Sequence, residues 1–213
     1  MSRKRGSIGF IVLVLAVACL SVGIASAQTL PADTYQVSYY SGAFAPIPSA
    51  TLHIVNPGTA VTAINRNGAP LNGNLCADIF VFNNDEQAVE CCACQLTPDS
   101  ERTLSIRGNL LSNPVNADNE TPDGVLKIVS TRPVNGLCPL PTGDRPLTPA
   151  AGLRAWATHI QTQGADPVRY VETEEEFAPA PLTGFEWEFA ELQCSAIVTS
   201  GSRAGICSCG YGD

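Results

Sequence analysis

The sequence predicts a mainly β protein: an antiparallel β-sandwich with one C-terminal α-helix, reinforced by disulfides. Three observations predict it. From Gln36 to about Tyr170, short runs of alternating apolar and polar residues recur with turn residues between them and no helical stretches. Only the segment from about 183 to 199 combines a helical start signal, helical length and a stop signal. Eight of the nine cysteines, from Cys76 onward, lie downstream of an export leader, and exported thiols are normally oxidised.

The strands are expected at 36–40, 50–56, 60–64, 75–82, 87–94, 102–107, 125–131 and 153–162. In the second, Leu52 and Ile54 oppose Thr51 and His53. In the sixth, Leu104 and Ile106 point inward while Thr103, Ser105 and Arg107 face out. Ile79-Phe80-Val81-Phe82 is apolar on both faces, so it reads as a strand covered on each side. Asn56-Pro57-Gly58, Asn65-Arg66-Asn67-Gly68, Asn72-Gly73 and Asn113-Pro114 supply the positive-φ and fixed-φ positions that turns need. Residues 139–151 carry Pro139, Pro141, Pro146 and Pro149, which makes this stretch an extended loop.

The helix opens with Thr183 and Glu186 at capping-box spacing and closes at Gly201. It has two apolar faces. Phe185, Phe189, Leu192 and Ala196 form one, expected against the sheet. Trp187, Ala190, Cys194 and Ile197 form the other, expected under the 202–213 tail.

The N-terminus has the three parts of a signal peptide. Arg3-Lys4-Arg5 is basic, Phe10 to Leu20 is apolar, and Ala25-Ser26-Ala27 is a small-residue cleavage site. The apolar run is shorter than the ~20 residues that cross a bilayer, so no transmembrane anchor is expected after cleavage. Residues 1–27 therefore read as leader and 28–213 as a single domain, secreted or periplasmic. A lipid anchor at Cys19 is the weaker alternative, because Ala16-Val17-Ala18-Cys19 lacks the leucine such sites favour. Cleavage leaves 9 Lys plus Arg against 20 Asp plus Glu, a net charge of −11, with Lys127 the one lysine. Such a surface repels phosphate backbones, which excludes nucleic acid as a partner.

The disulfide candidates are Cys76, Cys91, Cys92, Cys94, Cys138, Cys194, Cys207 and Cys209. A hairpin of 75–82 with 87–94 sets Phe82 opposite Gln87 and Cys76 near the 91–94 cluster, which suggests a bond from Cys76 into that cluster. Cys91 and Cys92 point to opposite faces of a strand and so need different partners. Cys194 is expected to pair with Cys207 or Cys209. Cys91 and Cys94 also have C-x-x-C spacing. They follow a strand, though, without the helix N-terminus that activates a redox thiol, and the only second pair, Cys207-Ser208-Cys209, is one residue short of common zinc spacing.

No catalytic, cofactor or metal residue is assigned. His53 lies on the polar face of its strand, and His159 shares a face with Leu153, Ala155 and Ala157. Neither has metal spacing or a nucleophile elbow nearby. The run Glu172-Thr173-Glu174-Glu175-Glu176 lacks calcium-loop chemistry and reads as a solvated approach to the helix. Asn119-Glu120-Thr121 is a formal glycosylation sequon. Trp156 and Trp187 read as packing residues rather than a sugar platform.

Leu75-Cys76-Ala77-Asp78-Ile79-Phe80-Val81-Phe82, Glu90-Cys91-Cys92-Ala93-Cys94, Leu104-Ser105-Ile106 and the closing Gly205-Ile206-Cys207-Ser208-Cys209-Gly210 resemble a group of uncharacterised, exported, cysteine-rich bacterial proteins. The resemblance implies family membership and brings no activity. The expected function is a non-enzymatic binding or structural module outside the cytoplasm, with an extracellular protein or glycan as partner. A metal or thiol-redox protein using the Cys91–Cys94 and Cys207/Cys209 clusters is one alternative. A hydrolase of unfamiliar type using His159 is another.

Overall fold

The computed structural model describes residues 32–41, 46–64, 70–115, 122–164 and 167–210. The leader, the Asn119 sequon and the Asn65–Gly68 turn lie outside the described residues. Among those described, no helix is long and apolar enough to cross a membrane.

The strands are β1 (Tyr35–Ser41), β2 (Thr51–Asn56), β3 (Val61–Ile64), β4 (Pro70–Asn72), β5 (Leu75–Asn83), β6 (Ala88–Leu96), β7 (Ser100–Ser105), β8 (Asp123–Thr131), β9 (Arg154–Gln163), β10 (Arg169–Glu176) and β11 (Ala178–Pro179), followed by helix α1 (Gly184–Thr199). Two antiparallel sheets form the sandwich. One has five strands in the order β11-β1-β8-β5-β6, and the other has four in the order β10-β9-β2-β7. β3 and β4 make a separate hairpin.

The alternation read from the sequence sets what is buried. Leu52 and Ile54 of β2, Leu104 of β7, and Ala155 and Ala157 of β9 meet Ala77, Ile79, Leu126, Ile128, Cys92 and Cys94 between the sheets. Ile79-Phe80-Val81-Phe82 is covered on each side as expected: β5 lies between β8 and β6, and every residue in it is buried, Asp78 and Asn83 included. Its other face, with Phe80 and Phe82, joins Tyr35, Cys91 and Val129 in a second core beneath α1.

Four sequence expectations need correction. The β5–β6 register differs by two residues, with Cys76 opposite Gln95 and Ala77 opposite Cys94. The cause is the turn. The Asn83 side chain accepts from the Asp85 and Gln87 amides at 3.1 and 2.7 Å, and a bulge at Val81/Phe82 absorbs the extra residue. The acidic run is a strand, β10, paired along its length to β9 rather than a loop approaching the helix. Its weak apolar content hid its period, and the ladder is held by backbone bonds that composition does not report.

The helix is turned the other way. Ala190, Cys194 and Ile197 face the five-stranded sheet, and Trp187 meets Phe80 edge-on at 6.4 Å between ring centroids. Phe185 is 78% exposed and Leu192 64% exposed. With two apolar faces available, side-chain anchors decide the rotation. Thr183 caps the helix by accepting from the Glu186 amide at 3.1 Å. The Glu186 carboxylate then leaves the capping box and accepts from Lys127 Nζ at 2.6 Å and Tyr35 Oη at 2.9 Å, both on the sheet. Finally, the cysteine pairing differs from the expected one, as described next.

Candidate functional site

Four disulfides join Cys76–Cys138, Cys91–Cys194, Cys92–Cys207 and Cys94–Cys209. Cys76 therefore bonds to the loop after β8, and Cys194 bonds to β6; neither expected partner is correct. Cys91 and Cys92 do take separate partners, as their opposite faces require. Cys91 points outward to α1, while Cys92 and Cys94 point inward. Strand β6 is thus stapled on both faces.

The tail runs beside β6 and forms a parallel bridge from Ile206 to Cys91, with the Cys91 amide donating to Gly205 O and the Cys207 amide to Cys91 O. Gly205 makes this approach possible. Its φ is +77°, and a Cβ there would lie 2.4 Å from both Ile197 Cγ2 and Val115 Cγ2. Arg102 of β7 donates to Cys209 O at 2.8 Å, so the tail bridges the two sheets at this end. The Cys92, Cys94 and Cys209 sulfurs all lie within 4.8 Å of one another, and all three are engaged in disulfides. A groove of about 510 Å³ reaches this cluster, lined by Cys92, Cys207, Cys209, Asn113 and Arg203 among others.

Two carboxyl groups are buried within the sheet beside these staples. Asp78 Oδ2 accepts from Thr131 Oγ1 at 2.8 Å, and its Oδ1 has no partner among the described residues. Burial pushes its pKa up to about 8; the Thr131 bond opposes this and Glu191 adds to it. Glu90 Oε1 accepts from the Asn113 amide at 2.6 Å. Burial raises it as well, to about 8, against that backbone bond. The sequence reading passed over both. The available signal was a lone acid inside a segment that otherwise reads as buried.

His53 centres a polar chain on the outer face of the four-stranded sheet. Glu101 Oε1 is 2.9 Å from Nδ1, Nε2 is 3.1 Å from Thr51 Oγ1, and Thr51 Oγ1 is 3.0 Å from Thr158 Oγ1. The His53 hydrogen bond holds the Glu101 carboxyl below its usual range, aided by Thr103. The acid–imidazole–hydroxyl order is that of a hydrolytic triad, but the surrounding backbone is committed to the β7-β2-β9 ladders. A flat ladder offers no convergent N–H pair for an oxyanion. His159 is buried, stacked on Tyr39 with centroids 3.8 Å apart. Burial lowers its pKa, opposed by Glu175, whose Oε2 is 3.6 Å from Nε2. Trp156 and Trp187 are half-buried on opposite outer faces, so they do not form one platform.

The remaining feature is a contrast among the sheet edges. β11 is two residues long and ends in proline. β6 is covered by the tail. β7 is six residues long and runs into a π-helical turn at Ile106–Leu110. β10 has eight residues, pairs on one side with β9, and every residue in it is exposed.

Fold and site together define a class: an antiparallel β-sandwich with a C-terminal helix, clamped by four disulfides. No known family model matches the chain, and neither a curated protein nor a solved structure matches it.

Proposed function

We propose that this protein is a non-enzymatic binding module that works outside the cytoplasm and takes up a basic, extended polypeptide by strand addition at β10. The observation that carries the reading is β10 itself: among the described residues it is the longest edge strand with no backbone partner on its outer side, and every residue in it is exposed, whereas β7 has six residues, β11 two, and β6 carries the tail at Cys91. An uncovered edge presents a row of backbone donors and acceptors, which is the template for an added strand. Glu172, Glu174, Glu175 and Glu176 make that edge acidic. They repel a second copy of the same edge and favour lysine- or arginine-bearing strands. The leader and the four disulfides support a site of action in an oxidising compartment.

The test is a calorimetric titration with a soluble peptide alternating lysine and valine, alongside the same peptide N-methylated at alternate backbone amides. Binding should be micromolar, weaken with salt, and disappear on N-methylation and in the Glu172→Lys/Glu174→Lys/Glu176→Lys protein. Amide exchange should slow in β10 when the peptide binds. Equal affinity for the N-methylated peptide, or protection elsewhere than β10, sinks the proposal.

A further inference from the structure

We infer that Cys92, Cys94, Cys207 and Cys209 form a tetrathiolate site for a zinc-class ion when their two disulfides are reduced, so that metal binding and disulfide bonding are alternative states of one cluster. Neither state touches β10, so this inference stands apart from the strand-addition reading.

The placement arises from strand geometry. Cys92 and Cys94 are two apart on one face of β6, and Cys207 and Cys209 are two apart on the tail that runs parallel beside it. The two pairs therefore face each other as rungs, with Cα separations of 5.3 and 5.4 Å. The sulfurs of Cys92, Cys94 and Cys209 already lie within 4.8 Å of one another, and the Cys207 sulfur is bonded to that of Cys92. A tetrahedral zinc site with Zn–S of about 2.3 Å needs sulfurs about 3.8 Å apart. Freed from their bonds, the paired sulfurs separate and the neighbouring ones close in, by side-chain rotation within an existing cluster. The spacing that looked one residue short for zinc in the tail is matched here by the same C-x-C spacing in β6.

Charge and access fit as well. A tetrathiolate site carries two net negative charges. Arg203 lines the groove beside Cys92 and Cys207, and Arg102 reaches the Cys209 carbonyl. The groove opens onto these two disulfides. Cys207 and Cys209 are 5% and 7% exposed, whereas Cys91 and Cys194 are 1% and 0%. In the reducing step, each disulfide takes two electrons and two protons from a dithiol, which becomes a disulfide, and yields two thiols. The ion then displaces four thiol protons and forms four metal–sulfur bonds.

The experiment uses the full exported protein under anaerobic conditions, with limited dithiol, desalting, and titration with cobalt(II) followed by zinc(II). One cobalt per chain is expected, with intense tetrahedral d–d and thiolate charge-transfer bands that zinc abolishes. Alkylation and mass spectrometry should show these four cysteines reduced and protected by metal, with Cys91–Cys194 intact. Cys94→Ser/Cys209→Ser should lose the bands, and Cys76→Ser/Cys138→Ser should keep them. Near-ultraviolet circular dichroism covers the case in which reduction unfolds the chain, where zinc should restore the native spectrum. Absence of tetrahedral cobalt bands, bands that survive in Cys94→Ser/Cys209→Ser, or a reduced chain that zinc does not refold each overturns the inference.

Discussion

Asp78 and Glu90 make stability depend on pH in an unusual direction. Their carboxyls are raised to about 8 by burial, so the folded protein holds protons that the unfolded chain releases above about pH 4. Stability from these groups is full below that point and is lost as pH rises toward 8, by at most about 1.4 kcal/mol per pH unit for each. His159 acts in the opposite sense. Its lowered pKa gives stability above about pH 6.5 that is lost on acidification below it. Glu101 and Glu186 are held below their usual range, Glu186 by Lys127 and Tyr35 despite its burial, and they withdraw stability as pH falls below about 4.5. Two buried carboxyls outweigh one histidine between about pH 4.5 and 6.5, so the thermal midpoint should peak near pH 4.5 and decline toward pH 8. Asp78→Asn with Glu90→Gln should raise the midpoint at about pH 8 and flatten the profile. A midpoint that falls steadily from about pH 8 to 5 would contradict this account.

At the scale of the helix, the two apolar faces of α1 make unequal contributions. Ile197 is buried in the outer core, and Ile197→Ala should cost about 2–4 kcal/mol in urea unfolding. Phe185→Ser and Leu192→Ser should change stability by no more than about 0.5 kcal/mol, because those side chains stand in solvent. A Phe185→Ser cost equal to that of Ile197→Ala would mean that the exposed face is in fact covered. Helical period alone could not separate the two faces, since both are apolar. The choice rests on Glu186 reaching Lys127 and Tyr35, and on Cys194 reaching Cys91. Strands were easier to read where one face is dry: Leu52, Ile54 and Leu104 are buried as the alternation required, while Ile106 is buried from the π-helical turn that follows β7. β10 escaped because both of its faces are wet.

For the molecule as a whole, the disulfides close long loops, with sequence separations of 62, 103, 115 and 115. Even at ~2 kcal/mol each, four bonds correspond to a midpoint loss of roughly 15–30 °C for a domain of this size. Full reduction in metal-free buffer should produce a drop of that order in calorimetry; a shift of a few degrees with all thiols free would show that the bonds are not staples. Deleting 202–213 should do more damage than losing two bonds, because it also uncovers the β6 edge and leaves Cys92 and Cys94 unpaired. Light scattering should report aggregation of the truncated chain. A monomeric, equally stable truncation would remove the tail from the fold's supports.

The sequence by itself determined the fold class, the inward residues of the half-buried strands, the helix and its Thr183 cap, and the identity of the oxidised cysteines. These follow from local rules: period two on a pleat, capping chemistry, and an even count of cysteines from Cys76 onward. Only the tertiary structure decided which cysteines pair, which helix face is buried, which acids lose water and which edge stays open. Each of those depends on residues far apart in the chain, from 23 positions between Glu90 and Asn113 to 115 between Cys92 and Cys207. Cys76 sits beside Cys138 because β5 and β8 are neighbours, and Cys92 meets Cys207 because the tail returns alongside β6. Local pattern carries no information about such returns, since the same alternation is satisfied by any neighbour that excludes water.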